Sequence, residues 1–261
     1  MEKFVIGEQS KRSSTSDVQK SPKKKMKLEI SERMKEEDAE EDEDAASAEF
    51  SHPVPWRKIE ADRLDCDYAL LFSKQEADQL FKQLEEEVVY STGERAKVHV
   101  FGKMHDIPRK QATYGDVGLI YTYSGVKHSA RPWTPTLEHI RDAVTKTTGR
   151  TFNFVLVNRY KDGLDRMGEH RDDERELDPV SPIASVSFGA ARDFIFRHRD
   201  ARGKQSCRQI EPVKLELAHG SLLLMNPPTN TFWYHSLPVR KKVLSPRINL
   251  TFRRIIPASK K

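Results

Sequence analysis

The residues of this chain best suited to chemistry are three possible metal donors and a row of polar side chains. In His170-Arg171-Asp172 the outer two residues point the same way if the segment is extended, because alternate side chains of a strand share a face. One imidazole and one carboxylate can then meet on a single ion. A third donor is His235, set in Trp233-Tyr234-His235-Ser236-Leu237-Pro238, a stretch too apolar for an ordinary exposed loop. Two histidines and a carboxylate on one face suit a non-haem iron with open coordination positions. The spacing is weak evidence alone, since the same tripeptide recurs at His198-Arg199-Asp200. The first triplet also matches the catalytic loop of protein kinases, but no Gly-rich loop, strand lysine motif or Asp-Phe-Gly accompanies it.

In Arg247-Ile248-Asn249-Leu250-Thr251-Phe252-Arg253 polar and apolar residues alternate. Arg247, Asn249, Thr251 and Arg253 therefore share one face of a strand. That face either meets solvent on an edge strand or walls a pocket. As a pocket wall, its two guanidiniums would suit a dianion such as a small dicarboxylate or a phosphate ester. Asn158 and Tyr160 follow Phe152, Phe154 and Leu156 at a spacing of two. One face of that strand turns polar as it ends, as at the mouth of an apolar barrel, where small ligands bind.

These residues need a scaffold, and its signals are readable. Ser73 and Glu76 form a capping box, and Ala77, Leu80, Phe81, Leu84 and Val88 recur behind it at helical spacing. A second helix opens at Thr134 and Pro135, carries Leu137, Ile140 and Val144 on one face, and ends at Gly149. After Gly149 the period becomes two. Strands are expected at 151–160, 183–188, 193–198, 213–217, 221–225 and 248–252, with turn residues between them. Helices packed on an antiparallel sandwich or barrel follow, a mainly β fold with flanking helices.

The body holding these elements runs over 53–261. Residues 1–52 differ from it and read as a disordered arm: few apolar residues, a basic cluster of the nuclear-import type at 20–27, and a nearly continuous acidic run at 36–44. Residues 1–50 hold 10 Lys and Arg against 14 Asp and Glu, and the remainder holds 35 against 26. A basic body favours a polyanionic partner. Cys66 and Cys207 are too few for a disulfide scaffold or a cysteine zinc cluster and read as reduced intracellular thiols. No apolar run approaches the roughly 18 residues of a membrane helix, and no signal-peptide pattern is present. Nothing suggests more than a monomer.

The order Asn158-x-Tyr160, His170-x-Asp172, His235, Arg247-x-Asn249-x-x-x-Arg253 resembles the AlkB family of iron(II)/2-oxoglutarate dioxygenases. The resemblance spans about residues 53–255. Segments 108–115, 152–163, 168–177, 181–189 and 233–242 resemble in particular the branch that removes alkyl lesions from double-stranded DNA. It implies a double-stranded β-helix, or jelly roll. It implies Fe(II) on His170, Asp172 and His235, and 2-oxoglutarate held by Asn158, Tyr160, Arg247, Asn249, Thr251 and Arg253, with O2 as the second cosubstrate. Which arginine would take which carboxylate is left open. His198-x-Asp200 lies outside the pattern and is expected in a surface loop.

The same resemblance implies oxidative demethylation of 1-methyladenine and 3-methylcytosine, flipped out of a duplex, with release of formaldehyde, succinate and CO2. Asp173 and Glu174 would face the flipped base, and Tyr121, Thr122 and Tyr123 match a lid over it. Val100, Phe101, Gly102 and Lys103 resemble a hairpin whose Phe101 fills the gap left in the duplex. Arg109, Arg197, Gly203, Lys204, Arg240, Lys241 and Lys242 would meet the DNA backbone. Lys3-Phe4-Val5-Ile6-Gly7 resembles a peptide that docks on the replication sliding clamp, although Gly7 stands where that pattern has a basic residue. A nuclear location follows. Two alternatives remain: a related dioxygenase acting on RNA or protein, and a DNA-binding protein without catalysis.

Overall fold

The computed structural model describes residues 54–100, 103–123, 126–203 and 208–256. Fifteen strands and three helices occur among them. They are β1 (Arg57–Ala61), β2 (Leu64–Leu70), α1 (Lys74–Glu87), β3 (Lys97–Val100), β4 (Lys103–Asp106), β5 (Lys110–Gly115), β6 (Ile120–Tyr123), β7 (Val126–Ser129), α2 (Pro135–Thr148) and β8 (Phe154–Tyr160). After these come β9 (Met167–His170), β10 (Ile183–Gly189), β11 (Arg192–His198), β12 (Val213–Leu217), β13 (Ser221–Met225), α3 (Thr229–Phe232), β14 (Trp233–Leu237) and β15 (Arg247–Arg253).

The strands form a seven-stranded sheet, β1-β2-β13-β10-β15-β8-β5, and a four-stranded sheet, β12-β11-β14-β9. All pairings within them are antiparallel. Two hairpins, β3-β4 and β6-β7, stand apart from these sheets. The central strands of the large sheet, β13, β10, β15 and β8, are buried on both faces. Ile248, Leu250 and Phe252 of β15 join the core packed under α1 and α2. A second core, with Leu223, Phe196 and Trp233, fills the space between the sheets.

Local chemistry fixes the helices. Glu76 N–H is capped by Ser73 Oγ at 3.2 Å, and Ser73 N–H by Glu76 at 2.8 Å. Gly149 closes α2 at φ 66°, a left-handed conformation that favours glycine. The expected strand over 151–160 starts at Phe154, and just before it the Asn153 amide side chain pairs with both backbone groups of Ile255. In the two sheets, strands β1, β2, β5, β9 and β14 add to those expected, and the β6-β7 hairpin adds a further pair. β15 lies between β10 and β8, so its polar face is an inner wall and not an edge facing solvent. Residues 3–7 and the arm lie outside the described residues.

Candidate metal centre

The small sheet sets two of the three donors. β9 and β14 pair antiparallel with His170 opposite His235, and their rings meet edge-on at 4.3 Å between centroids. Asp172 follows β9 on a stretch without regular structure. His170, Asp172 and His235 place one donor atom each within 4.8 Å of one another. His170 donates from Nδ1 to the Gly168 carbonyl at 3.0 Å, which leaves Nε2 for the shared point. Phe194 stacks on His235 and fixes its ring plane.

The Asp172 carboxylate is divided between two tasks. Oδ2 accepts from Arg253 at 2.7 and 3.3 Å, while Oδ1 lies 3.5 Å from His170 Nε2. Burial opposes ionisation of Asp172, but Arg253, His170 and His235 outweigh it and hold the carboxyl well below the usual range. Burial, helped by His170, pushes His235 down to about 3. Two imidazoles and one carboxylate result, the donor set of a divalent iron site.

The polar face of β15 runs away from these donors. Arg247, Asn249, Thr251 and Arg253 are at most 8% exposed. Arg247 donates to Ser187 Oγ, and Asn249 to Ser185 Oγ and the Val186 carbonyl, each at 2.9 Å. Thr251 donates to Asn249 at 3.3 Å. Asn158 accepts from Arg109 at 2.8 Å and Gln111 at 2.9 Å. Tyr160 sits deeper, beneath the Arg192 guanidinium. Asn158 Nδ2, Arg247 Nε and one terminal nitrogen of Arg253 are buried donors with no protein partner among the described residues. Burial lowers Arg247 to about 10, yet it remains a cation at neutral pH. Buried donors and a buried charge call for an acceptor anion. A dicarboxylate beside a metal on His170, Asp172 and His235 fits these residues.

The expected DNA contacts separate into groups. Asp173 is exposed, with its nearest cation, Arg171, at 3.8 Å. Arg197 pairs with Glu169 at 2.8 Å, and Arg202 pairs with the same carboxylate at 2.9 Å. Gly203, Lys241 and Lys242 are exposed, whereas Arg240 is tied to Asp193 at 2.5 Å. Arg109 is half-buried; its Nε donates to Asn158 at 2.8 Å and it lines the space beside the metal donors. The β3-β4 hairpin joins Val100 to Lys103. Phe101, Gly102 and Lys204 lie outside the described residues, and nothing is described of the side chains of Val100, Lys103 and Tyr123.

Tyr121 of the segment matching a lid is buried: its ring packs against Phe154, and its hydroxyl donates to Glu174 at 2.5 Å. Burial pushes its phenol well above the ordinary value, and burial also raises the Glu174 carboxyl. Thr122 beside it donates to Glu176 at 2.7 Å. His198, expected in a surface loop, is instead 1% exposed at the end of β11. It packs there because Phe232 and Trp233 receive its ring. Asn230, Ser185, Ser187 and Glu169 are the polar neighbours that sequence reasoning missed. Only contacts distant in sequence distinguish them.

Comparisons with known proteins agree with this geometry. The 2OG-Fe(II) oxygenase superfamily matches residues 68–253. The chain is 66% identical over 215 residues to the Mus musculus protein named DNA oxidative demethylase ALKBH2, covering 82% of this chain and 90% of that one. It is 67% identical to the Homo sapiens protein of that name over 205 residues, 78% of each. Human Alpha-ketoglutarate-dependent dioxygenase alkB homolog 3 is 36% identical over 196 residues, 74% of this chain and 66% of that one. The solved structure of OsALKBH1 superposes with a TM-score of 0.50 at 15% identity, over 77% of this chain and all of that one, a likeness of fold alone. The chain therefore belongs to the 2OG-Fe(II) oxygenase superfamily, in its AlkB branch, with the jelly-roll fold and the Fe(II), 2-oxoglutarate and O2 requirement of that family.

Proposed function

We propose that this protein repairs alkylated DNA by oxidative demethylation of 1-methyladenine and 3-methylcytosine, preferably in duplexes. The observation that carries the reading is the 66–67% identity to proteins named DNA oxidative demethylase ALKBH2 over most of both chains. Its support in the site is a donor set for iron beside buried donors that require an anion.

Fe(II), on His170, Asp172 and His235, would with 2-oxoglutarate and O2 supply the oxidising power that an inert N-methyl C–H bond demands. The protein's own residues then have distinct tasks. Arg253 holds Asp172 by Oδ2 and so leaves Oδ1, beside His170, as the oxygen that would hold the metal. Asn158, Arg247 and Arg253 offer unused N–H groups to the carboxylates of the cosubstrate. Tyr160, Asn249 and Thr251 complete that wall. Asp173 and Glu174 stand next to the metal ligand in sequence, where a cationic, flipped base would meet two carboxyl groups. Weak pairing of such lesions lowers the cost of flipping.

Phe101 between β3 and β4 fills the gap in the duplex, and Arg197, Lys204, Lys241 and Lys242 meet phosphates. We assign Tyr121 a supporting role through Glu174. Residues 1–52 act as an arm with an import cluster, which places the enzyme in the nucleus, and residues 3–7 dock on the sliding clamp. The body 53–261 works as a monomer.

The deciding experiment loads the protein anaerobically with Fe(II) and 2-oxoglutarate and adds air with a duplex oligonucleotide bearing one 1-methyladenine. Formaldehyde and demethylated strand should appear together. Succinate without demethylation would move the search to RNA or protein substrates. No succinate from iron-loaded protein would favour a DNA-binding protein without catalysis. Phe101→Ala should slow repair of duplex several-fold and spare single strands, since only the duplex has a gap to fill. Equal losses on both would remove the finger role.

A further inference from the structure

We propose that Asn230 is a positioning residue for the metal centre: its single amide grips both backbone polar groups of Asp172 and so fixes that ligand relative to His235. The inference rests on the reading that His170, Asp172 and His235 hold the metal.

Asp172 needs such a device. It lies beyond the end of β9, where no sheet ladder takes its N–H and C=O. A backbone buried without partners is unfavourable. Asn230 supplies both partners. Its Oδ1 accepts from Asp172 N–H at 3.1 Å, and its Nδ2 donates to the Asp172 carbonyl. The amide does this because it carries an acceptor and a donor side by side on a short stem. The carboxylate end of Asp172 is held separately by Arg253. Without Asn230, Arg253 would pull on a ligand whose backbone is free to follow it.

The position of Asn230 gives the grip a second consequence. It sits in α3, which runs directly into β14 and His235. Thr229, its neighbour, anchors α3 in the same manner to Asp65 of β2, accepting from Asp65 N–H at 2.8 Å and donating to the Asp65 carbonyl at 3.0 Å. Arg171 adds a bond to the Thr231 carbonyl at 2.7 Å. Two metal ligands 63 positions apart in sequence thus share one rigid connector. Loss of such supporting hydrogen bonds around metal ligands costs on the order of 10–100-fold in metal affinity.

The test titrates the full chain with Co(II) and follows visible absorption, with neither 2-oxoglutarate nor DNA present. Asn230→Leu keeps the side-chain volume and removes both hydrogen bonds. Asn230→Ala removes both together with the volume. Each is expected to weaken Co(II) binding about 10–100-fold and to alter the band shape of the bound ion. Thr229→Val cuts the other anchor of α3 but leaves both bonds to Asp172 in place, so it should weaken Co(II) binding less than Asn230→Leu does; an equal loss in both would overturn the specific role of Asn230. If Asn230→Ala fails to fold, Asn230→Leu carries the test. Wild-type affinity and spectrum in Asn230→Leu would reduce Asn230 to a packing role and overturn the proposal. His170→Ala separates the two failures. If it too binds Co(II) as the wild type does, the metal site itself is misassigned.

Discussion

The chain contains His-Arg-Asp twice, at 170–172 and at 198–200, and the two copies have opposite fates. In the first, both outer side chains turn toward His235 and Arg253. In the second, His198 is buried between Phe232 and Trp233 and accepts from Asp200 N–H at 3.2 Å, and Asp200 turns outward to Arg199 and Arg208. The difference does not reside in the tripeptide. β9 ends two residues before the carboxylate, which drops into the space between the sheets, whereas β11 ends into a 3-10 turn that folds the carboxylate back on its own chain. A local motif becomes a site only when long-range pairing supplies a third donor.

The largest effects should separate the two aspartates. Asp172→Ala removes a ligand and also strands Arg253, a buried cation whose partner it was. Metal binding and demethylation should both be lost, and the metal-free protein should lose roughly 3–5 kcal/mol of stability. Asp200→Ala removes part-exposed pairs with Arg199 and Arg208 and an approach to the His198 ring at 3.7 Å, so its cost should be about 1 kcal/mol, well below that of Asp172→Ala, with metal affinity unchanged. Co(II) titration and urea unfolding of both variants check this. Demethylation surviving in Asp172→Ala would dismiss the proposed centre.

How far this contrast could be read in advance differs by residue. The helices were legible because Ser73, Glu76, Thr134, Pro135 and Gly149 act within one turn of where they stand. The polar face of β15 was legible as a face, but its direction was not: alternation fits an edge strand equally well, and only pairing to β10 and β8 turns it inward. The metal donors became legible as an ordered set with Asn158 and the two arginines. Asn230 left no signal, because its partner is 58 residues away and asparagine after a Pro-Pro pair reads as a turn. Burial of Tyr121 was hidden for the same reason: its partners Phe154 and Glu174 lie in other elements.

The two histidines should show reversed phenotypes. His170 is part-exposed and meets the His235 ring, the Gly168 carbonyl and Asp172 Oδ1. His170→Ala should abolish metal binding and cost the metal-free fold only about 1 kcal/mol. His198 is 1% exposed between aromatic rings. His198→Ala should leave a cavity and cost roughly 2–4 kcal/mol, with Co(II) affinity kept in the protein that remains folded. A loss of metal affinity in His198→Ala equal to that in His170→Ala would erase the distinction between the copies.

The smallest difference lies between the middle residues, which begin alike. Arg171 stacks over Tyr234 at 4.9 Å and Arg199 over Phe232 at 4.5 Å, so each contact of this kind should contribute about 0.5–1 kcal/mol. Arg171 has in addition its hydrogen bond to the Thr231 carbonyl, on the segment that carries Asn230. A net hydrogen bond contributes about 1 kcal/mol. Arg171→Ala should therefore destabilise the metal-free protein by roughly 1–2 kcal/mol and Arg199→Ala by about half as much or less, both measured by urea unfolding. If the two losses are equal, the stacked ring accounts for both, and α3 is held at the centre by Asn230 and Thr229 without help from Arg171.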